Sequence, residues 1–259
     1  MHILLVNDDG ILAPGIRALS DACAARGHRV TVCAPHTERS ASSHRITLAE
    51  PIYAREADYG HALVRAWSIS GTPADCVRIG LYELIEGTAD VVISGVNNGH
   101  NAGMAVHYSG TVAAAREAAL NHVPAIAVSM AYDGTDTMRA YAAALAVQAA
   151  EAYVQTAVQP QTVLNINTPA REPGDTLPPV LAPLSTAGYQ DRYIRREAPR
   201  AGTYFWLSGG SDIEPSPAGS DVALLEAGHV TYSVIGNPCG FDTLGPDFLR
   251  QVSAFNPHA

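Results

Sequence analysis

Short apolar runs alternate with amphipathic segments over the first 170 residues of the chain. The runs predict buried strands at 3–6, 29–34, 90–94, 125–129 and 162–167, with shorter extended pieces at 52–54 and 63–69. Helical spacing of apolar residues predicts helices that begin near Pro14, Pro73, Ser109 and residue 136. The helix from Pro73 is expected to continue to Gly87, which would end it. Strands that alternate with helices are typical of parallel sheets with right-handed crossovers. The pattern therefore predicts an α/β fold with a Rossmann-like, doubly wound, mostly parallel sheet.

The pattern changes after residue 170. Four prolines follow in close succession, at positions 173, 178, 179 and 183, and helical spacing is lost. Strands are predicted at 204–207 and 229–235, and a short helix at 217–227. We expect a core over residues 1–170 and a β-rich C-terminal extension over 171–259, which would serve as a lid, as an oligomerisation arm, or as both.

Charge narrows the range of partners. The 259 residues carry a net charge of −9 and contain no lysine, so the 16 basic side chains are all arginines. An acidic chain without basic runs is not expected to bind polymeric nucleic acid or an anionic membrane surface. If the protein binds phosphate, a metal and backbone N–H groups must supply most of the positive potential.

The N-terminus, the lengths of the apolar runs and the cysteine spacing lead us to expect a cytoplasmic protein. The chain starts directly with a predicted strand, without a basic leader, and no run approaches 18 apolar residues. The four cysteines show no Cys-x-x-Cys spacing, so buried thiols are favoured over disulfides or zinc ligands.

The first strand ends in Asn7-Asp8-Asp9-Gly10, which places two adjacent carboxylates at the sheet edge where α/β proteins bind ligands. Adjacent carboxylates repel each other by several kcal/mol at an effective dielectric constant of about 20. One interpretation is therefore a site for a hard divalent cation, which takes oxygen ligands. The alternative is a solvated loop in which Asp9 caps the next helix.

Other polar segments follow the later strands. Ser40 lies after the second strand, Asn97 and Asn98 follow the strand at 90–94, and Ser109-Gly110-Thr111 begins a helix, where free N–H groups attract anions. A cation held by oxygen ligands beside an anion site suits the hydrolysis of phosphate esters. Several nearby residues remain open between substrate contact and ordinary loop positions: His36, His44, His100, His107, Arg39, Arg45 and Tyr108.

Four segments together resemble the motifs of the SurE family, the stationary-phase survival protein type of 5′/3′-nucleotidase: 7–10 (NDDG), 71–76 (GTPADC), 94–101 (SGVNNGHN) and 108–112 (YSGTV). The resemblance spans residues 1–170, which it identifies as a catalytic core. It implies a divalent metal, Mg²⁺ or Mn²⁺, and release of phosphate from nucleoside 5′- and 3′-monophosphates. The metal ligands would be Asp8, Asp9, Ser40 and Asn97, with Asp8 and Asp9 as the catalytic carboxylates. The phosphate pocket would be lined by Asn101, Ser109, Gly110 and Thr111.

The resemblance also implies a homodimer or homotetramer assembled through the C-terminal part. The chain departs from the family pattern in places. Ala41 stands where the family usually has glycine, so a backbone angle restricted to glycine is not expected there. Ser185 to Tyr189 matches only partly, Gly219-Ser220-Asp221 replaces the common Gly-Thr-Asp, and the tail to Ala259 is atypical.

Other functions compete with this one. A receiver domain needs a lysine, which the chain lacks, and a haloacid-dehalogenase phosphatase needs Asp-x-Asp rather than Asp8-Asp9. A non-catalytic nucleotide-binding or sensing protein could use the same loops, although it has less need of a metal-activated water. A metal-dependent phosphatase for another small phosphate ester, or for polyphosphate, is also compatible with these residues.

Overall fold

A computed structural model describes residues 1–156, 161–212 and 214–236. Within these ranges the strands are β1 (His2–Val6), β2 (Arg29–Pro35), β3 (Ala54–Ala57), β4 (Val64–Ile69), β5 (Val91–Asn98), β6 (Ala125–Met130), β7 (Val163–Thr168), β8 (Leu177–Leu181), β9 (Tyr189–Ala198), β10 (Gly202–Asp212) and β11 (His229–Ile235). The α-helices are α1 (Pro14–Ala25), α2 (Pro73–Ile79), α3 (Gly110–Leu120), α4 (Asp136–Val154) and α5 (Asp221–Ala227). Cys239 and the tail from residue 237 lie outside the described residues.

The central sheet has nine strands in the order β3-β4-β2-β1-β5-β6-β7-β11-β8. The six strands from β4 to β7 in this order are parallel, whereas β3 at one edge and β11 near the other are antiparallel to their neighbours β4 and β7. The chain builds outward from β1 to one side and then continues with β5 on the other. The predicted doubly wound α/β sheet is therefore confirmed, and its strand order reverses between β1 and β5.

Strand β1 is apolar on both sides, and helices cover both faces of the sheet around it. Ile3 and Leu5 belong to the core layer that includes α1 and α4, whereas Leu4 and Val6 pack in the opposite layer with α2 and α3. All four side chains are fully buried. This two-sided burial is typical of a parallel strand at the centre of an α/β sheet.

Two elements differ from their predicted bounds. Strand β5 continues past residue 94 to Asn98, with an irregular register against β6 between Ser94 and Asn97. Helix α2 was expected to continue to Gly87 but ends at Ile79, and a π-helical turn follows at Gly80–Leu84. Gly80 packs so closely on β1 that an added Cβ would lie 2.9 Å from Leu4 Cδ1. A side chain at position 80 would therefore displace Leu4 in the core.

The C-terminal part divides its strands between two sheets. Strands β8 and β11 join the main sheet, whereas β9 and β10 form a separate antiparallel hairpin. The β-rich character predicted for this region is confirmed. No described helix is both long enough and apolar enough to cross a lipid bilayer. The thiols of Cys23, Cys33 and Cys76 are buried and free, as expected.

Candidate active site

A cavity of about 630 Å³ opens at the carboxyl ends of β1 and β5, where the strand order reverses. This is the place where open α/β sheets bind ligands. Six of the eight residues predicted from the sequence line it: Asp8, Asp9, Ser40, Asn97, Asn101 and Ser109. The other two, Gly110 and Thr111, lie directly behind Asp8.

Asp8 is held by the N-terminus of α3. Its carboxylate accepts a hydrogen bond of 2.5 Å from the Thr111 hydroxyl, and backbone N–H groups of Gly110 and Thr111 also point to it. Only glycine allows this approach, because a Cβ at position 110 would lie 2.8 Å from Asp8 Oδ2. Burial raises the pKa of Asp8, and these hydrogen bonds oppose the rise. The first turn of α3 therefore stabilises a buried carboxylate.

Asp9 is half-buried and lies among other negative charges. Burial raises the pKa of its carboxyl to about 7, with further contributions from the charges of Asp8 and Glu38. The described structure has no side-chain cap on α1, whose N-cap residue is Ala13. The alternative in which Asp9 caps this helix is therefore wrong.

Thr111 joins the two strand ends. Besides donating to Asp8, its hydroxyl lies 3.4 Å from the side-chain oxygen of Asn97, whose amide group donates to the Gly99 carbonyl at 2.7 Å. Thr111 is fully buried and does not line the cavity. Its hydroxyl thus holds two of the four predicted metal ligands, Asp8 and Asn97, in place.

The loop after β2, residues 36–50, carries Ser40 over the cavity. Ser40 donates a hydrogen bond of 2.7 Å to the Glu38 carboxylate, and the backbone N–H of Arg39 donates to the Asp8 carbonyl. Ala41 has a φ of 53°, in the left-handed region that favours glycine. Alanine reaches this region at a cost of about 1 kcal/mol. The angle thus favours glycine without being restricted to it, which is compatible with the expectation that no glycine-only angle is used at this position.

This loop is anchored to α2 through Asp75. The carboxylate of Asp75 accepts hydrogen bonds from the Thr47 hydroxyl at 2.6 Å, the Thr47 N–H at 3.0 Å and the Thr72 N–H at 2.9 Å. Burial alone would raise the pKa of Asp75, but the hydrogen bonds from Thr47 and Thr72 outweigh it and hold the pKa below its usual value. The 71–76 motif thus caps a helix and fastens the Ser40 loop with one carboxylate.

Another part of the cavity wall has neutral hydrogen-bonding groups. Ser109 is the N-cap of α3 and accepts from the Val112 N–H at 3.0 Å, which leaves its hydroxyl proton available for a ligand. Asn101 is buried, and its amide group donates to Ser129 Oγ at 2.9 Å. Asp221 at the start of α5 accepts the Gly103 N–H at 2.8 Å and so supports this wall from the C-terminal region.

Sequence reasoning missed part of the cavity lining. Tyr132, Arg139 and Glu38 face the cavity together with Tyr108, whose role was left open. Arg139 also pairs with Asp136 on the first turn of α4. No local signal marks either residue, since Tyr132 lies in the connection between β6 and α4 and Arg139 near the start of α4. Glu38 was distinguishable by its proximity to Ser40 in the chain.

The remaining candidates lie elsewhere. Arg39 and Arg45 line a neighbouring cavity of about 390 Å³ rather than the one with Asp8. None of the four candidate histidines lines the Asp8 cavity. His44 pairs with Glu117 at 2.8 Å, and His100 bonds to the Thr168 carbonyl at 2.8 Å. In the described structure these two histidines therefore support loops around the cavity.

The residues present suit a hard divalent cation. No group of three His, Cys, Asp or Glu side chains with metal-binding geometry occurs in the part of the chain that the structure describes. A cation would instead need mixed oxygen donors, and Asp8, Asp9, Ser40 and Asn97 offer carboxylate, hydroxyl and amide oxygens in one cavity. Burial and the negative charges of Asp8 and Glu38 raise the pKa of Asp9, and a bound cation would favour its ionised form.

Known proteins resemble this chain over most of its length. The family model described as Survival protein SurE matches residues 3–190. The chain is 42% identical over 221 residues to the 5′-nucleotidase SurE of Prochlorococcus marinus (strain NATL2A), covering 85% of this chain and 84% of that protein. It is 43% identical over 233 residues to the 5′-nucleotidase SurE of Solidesulfovibrio magneticus, covering 90% of each. The crystal structure of the SurE protein from Aquifex aeolicus has a TM-score of 0.77 at 29% identity and covers 91% of this chain and 93% of its own. Since the match extends over most of its length, the chain belongs to the SurE family.

Proposed function

We propose that this protein is a divalent-metal-dependent nucleotidase that releases phosphate from nucleoside 5′- and 3′-monophosphates by attack of a metal-activated water. The observation that carries the proposal is the cavity itself, which Asp8 and Asp9 line together with Asn101 and Ser109. Oxygen ligands for a cation thus lie in the same cavity as hydrogen-bond donors suited to a phosphate. The relatives' printed name, 5′-nucleotidase SurE, supports the substrate class.

Asp8, Asp9, Ser40 and Asn97 would hold Mg²⁺ or Mn²⁺. When bound, the cation would polarise a phosphoryl oxygen and lower the pKa of a water, which supplies the nucleophile. Thr111 keeps Asp8 and Asn97 in place, and Glu38 orients the Ser40 hydroxyl. We therefore assign Asp8 and Asp9 as the catalytic carboxylates.

Asn101 and Ser109 would bind the phosphate as neutral donors. The family resemblance implies that Gly110 and Thr111 line the phosphate pocket. Their N–H groups point to Asp8, and we therefore propose a less direct role for them. In our proposal these two residues act on the phosphate pocket mainly by shaping it around Asp8. Arg139 lines the cavity and adds positive charge in a chain that has no lysine.

We also propose that the protein is a homodimer or homotetramer. The β9–β10 hairpin exposes a row of large apolar side chains: Tyr193 at 60%, Phe205 at 61%, Trp206 at 61% and Leu207 at 59%. Exposed apolar surface of this kind is typical of protein–protein contacts.

The substrate class is tested by measuring phosphate release from 5′-AMP, 3′-AMP, a sugar phosphate and tripolyphosphate, each with Mg²⁺, Mn²⁺ or EDTA. We expect the two nucleotides to be hydrolysed fastest, and only with metal. Faster hydrolysis of tripolyphosphate or the sugar phosphate would indicate a phosphatase of another specificity. Nucleotide binding by calorimetry without turnover would indicate a sensor and would refute the proposal.

A further inference from the structure

Strand β7 carries two asparagines, Asn165 and Asn167, whose polar side chains are not needed to form the sheet. Asn165 and Asn167 are both completely buried, on the seventh strand of a nine-stranded sheet. A buried amide costs several kcal/mol unless it finds hydrogen-bond partners. The partners of these two side chains therefore indicate what they do.

Both asparagines bind the backbone of Asn101. The Asn167 side chain forms a two-point contact, in which its oxygen accepts the Asn101 N–H at 2.9 Å and its NH₂ group donates to the Asn101 carbonyl at 3.1 Å. The Asn165 NH₂ group donates to the same carbonyl at 2.7 Å. Both backbone polar groups of Asn101 are thus satisfied by side chains of β7.

Asn101 is held at its side chain as well as at its backbone. The Asn101 amide donates to Ser129 on β6, and Ser129 is the register partner of Asn167 on β7. The adjacent residues are fixed as well, His100 to the Thr168 carbonyl and Gly103 to Asp221. The Asn101 side chain consequently enters the cavity from a rigid platform rather than from a free loop.

We propose that Asn167 is a positioning residue for the phosphate-binding amide of Asn101, with Asn165 as a weaker second support. The inference rests on the proposed function, because it assigns Asn167 to the phosphate subsite of that reaction. A donor that is misplaced by about 1 Å loses much of its effect on the transition state. Asn167 therefore acts on catalysis through Asn101 and touches no substrate itself.

The test is a double-mutant cycle between Asn167→Leu and Asn101→Ala, with kcat and KM measured for 5′-AMP at saturating Mg²⁺. Leucine has the same number of side-chain heavy atoms and the same branching as asparagine, is somewhat larger, and forms no hydrogen bonds. We expect Asn167→Leu to lower kcat/KM by about 10- to 100-fold, mainly in kcat, in the wild-type background. In the Asn101→Ala background we expect a fall of less than about threefold, since the residue being positioned has already lost its donor. The Mg²⁺ requirement should not change.

Ser233→Ala is the matched control. Ser233 is buried on β11 opposite Asn165, and its hydroxyl has no partner among the described residues. We expect its kcat/KM to stay within twofold of the wild-type value. If Asn167→Leu does not fold, Asn165→Leu replaces it and should show a smaller fall that is again absent in the Asn101→Ala background.

The outcomes separate this inference from the proposed function. Equal losses in both Asn101 backgrounds would overturn it, because they indicate a general effect on folding. It is also overturned if Asn101→Ala impairs an active enzyme while neither β7 variant does. A wild-type protein that releases no phosphate from any ester would instead refute the proposed function, and the inference with it.

Discussion

Replacing Asp9 by asparagine should stabilise the metal-free protein at neutral and alkaline pH while removing most of its activity. The pKa of Asp9 rises from 3.8 for a free side chain to about 7 in the folded protein, first through burial and then through the charges of Asp8 and Glu38. The folded state therefore retains a proton that the unfolded chain loses above about pH 4. Consequently the wild-type protein loses stability as the pH rises from about 4 to about 7, and the neutral asparagine avoids this loss.

The size of the effect follows from the same shift. At about 1.4 kcal/mol per pKa unit, the full rise corresponds to about 4 kcal/mol. Because the cavity is open to water, which screens these charges, we expect about 1–2 kcal/mol in practice. For a chain of this size that amounts to an increase of about 2–8 °C in the melting temperature.

The assay is thermal unfolding in EDTA at pH 5 and pH 8, with Asp21→Asn as the control because Asp21 lies exposed on α1. We expect Asp9→Asn to melt higher than the wild type at pH 8 and to show a smaller gain at pH 5. With saturating Mg²⁺ the order should reverse, because the wild type gains more from metal binding. A lower melting temperature for Asp9→Asn in EDTA at pH 8, or an equal gain at both pH values, would refute this account of the charge cluster.

Three further predictions follow from the caps, anchors and exposed surfaces. Asp75→Asn should lower the free energy of unfolding by about 1–2 kcal/mol at pH 7. Since the pKa of Asp75 is lowered in the folded protein, this loss, measured by urea unfolding, should shrink as the pH falls below 3.8. A loss that stays constant with pH would contradict the lowered pKa. Ser109→Ala should lower kcat/KM by about 10- to 100-fold at an unchanged Mg²⁺ requirement. The control Thr135→Ala, which removes the N-cap of α4, should lower stability alone. A shifted Mg²⁺ requirement for Ser109→Ala would instead assign this residue to the metal site. Light scattering at micromolar concentration should show at least a dimer that dissociates in the Phe205→Ser/Trp206→Ser double variant, and a monomeric wild type would refute the assembly.

Local signals in the sequence were sufficient for much of the fold. The apolar run before Asp8 predicts a strand buried on both faces, and Ser109 predicts a helix start, because strand burial and N-capping depend on neighbouring residues. Placing Asp8 near Asn97 needed only the rule that parallel strands end at one edge of the sheet. These features could therefore be predicted without any long-range contact.

Features that depend on distant pairing could not be predicted in this way. Strand β11 enters the main sheet beside β7, although the chain between them passes through the hairpin. Thr111 faces Asp8, which lies 103 residues earlier in the chain. Asn165 and Asn167 read as ordinary strand residues, since their partner Asn101 belongs to a different part of the sequence. The separation of residues 1–170 from 171–259 as folding units stays a prediction.

The most direct test of the central claim is a titration of chelated protein with Mn²⁺, in which bound Mn²⁺ and phosphate release from 5′-AMP are followed in the same samples. We predict no turnover before Mn²⁺ is added, and then binding and turnover that rise with one midpoint. Asp8→Asn should lose both, while Asp21→Asn should retain both. Full turnover in the chelated protein, or unchanged Mn²⁺ affinity in Asp8→Asn, would contradict the assignment of the acidic cluster as the metal site.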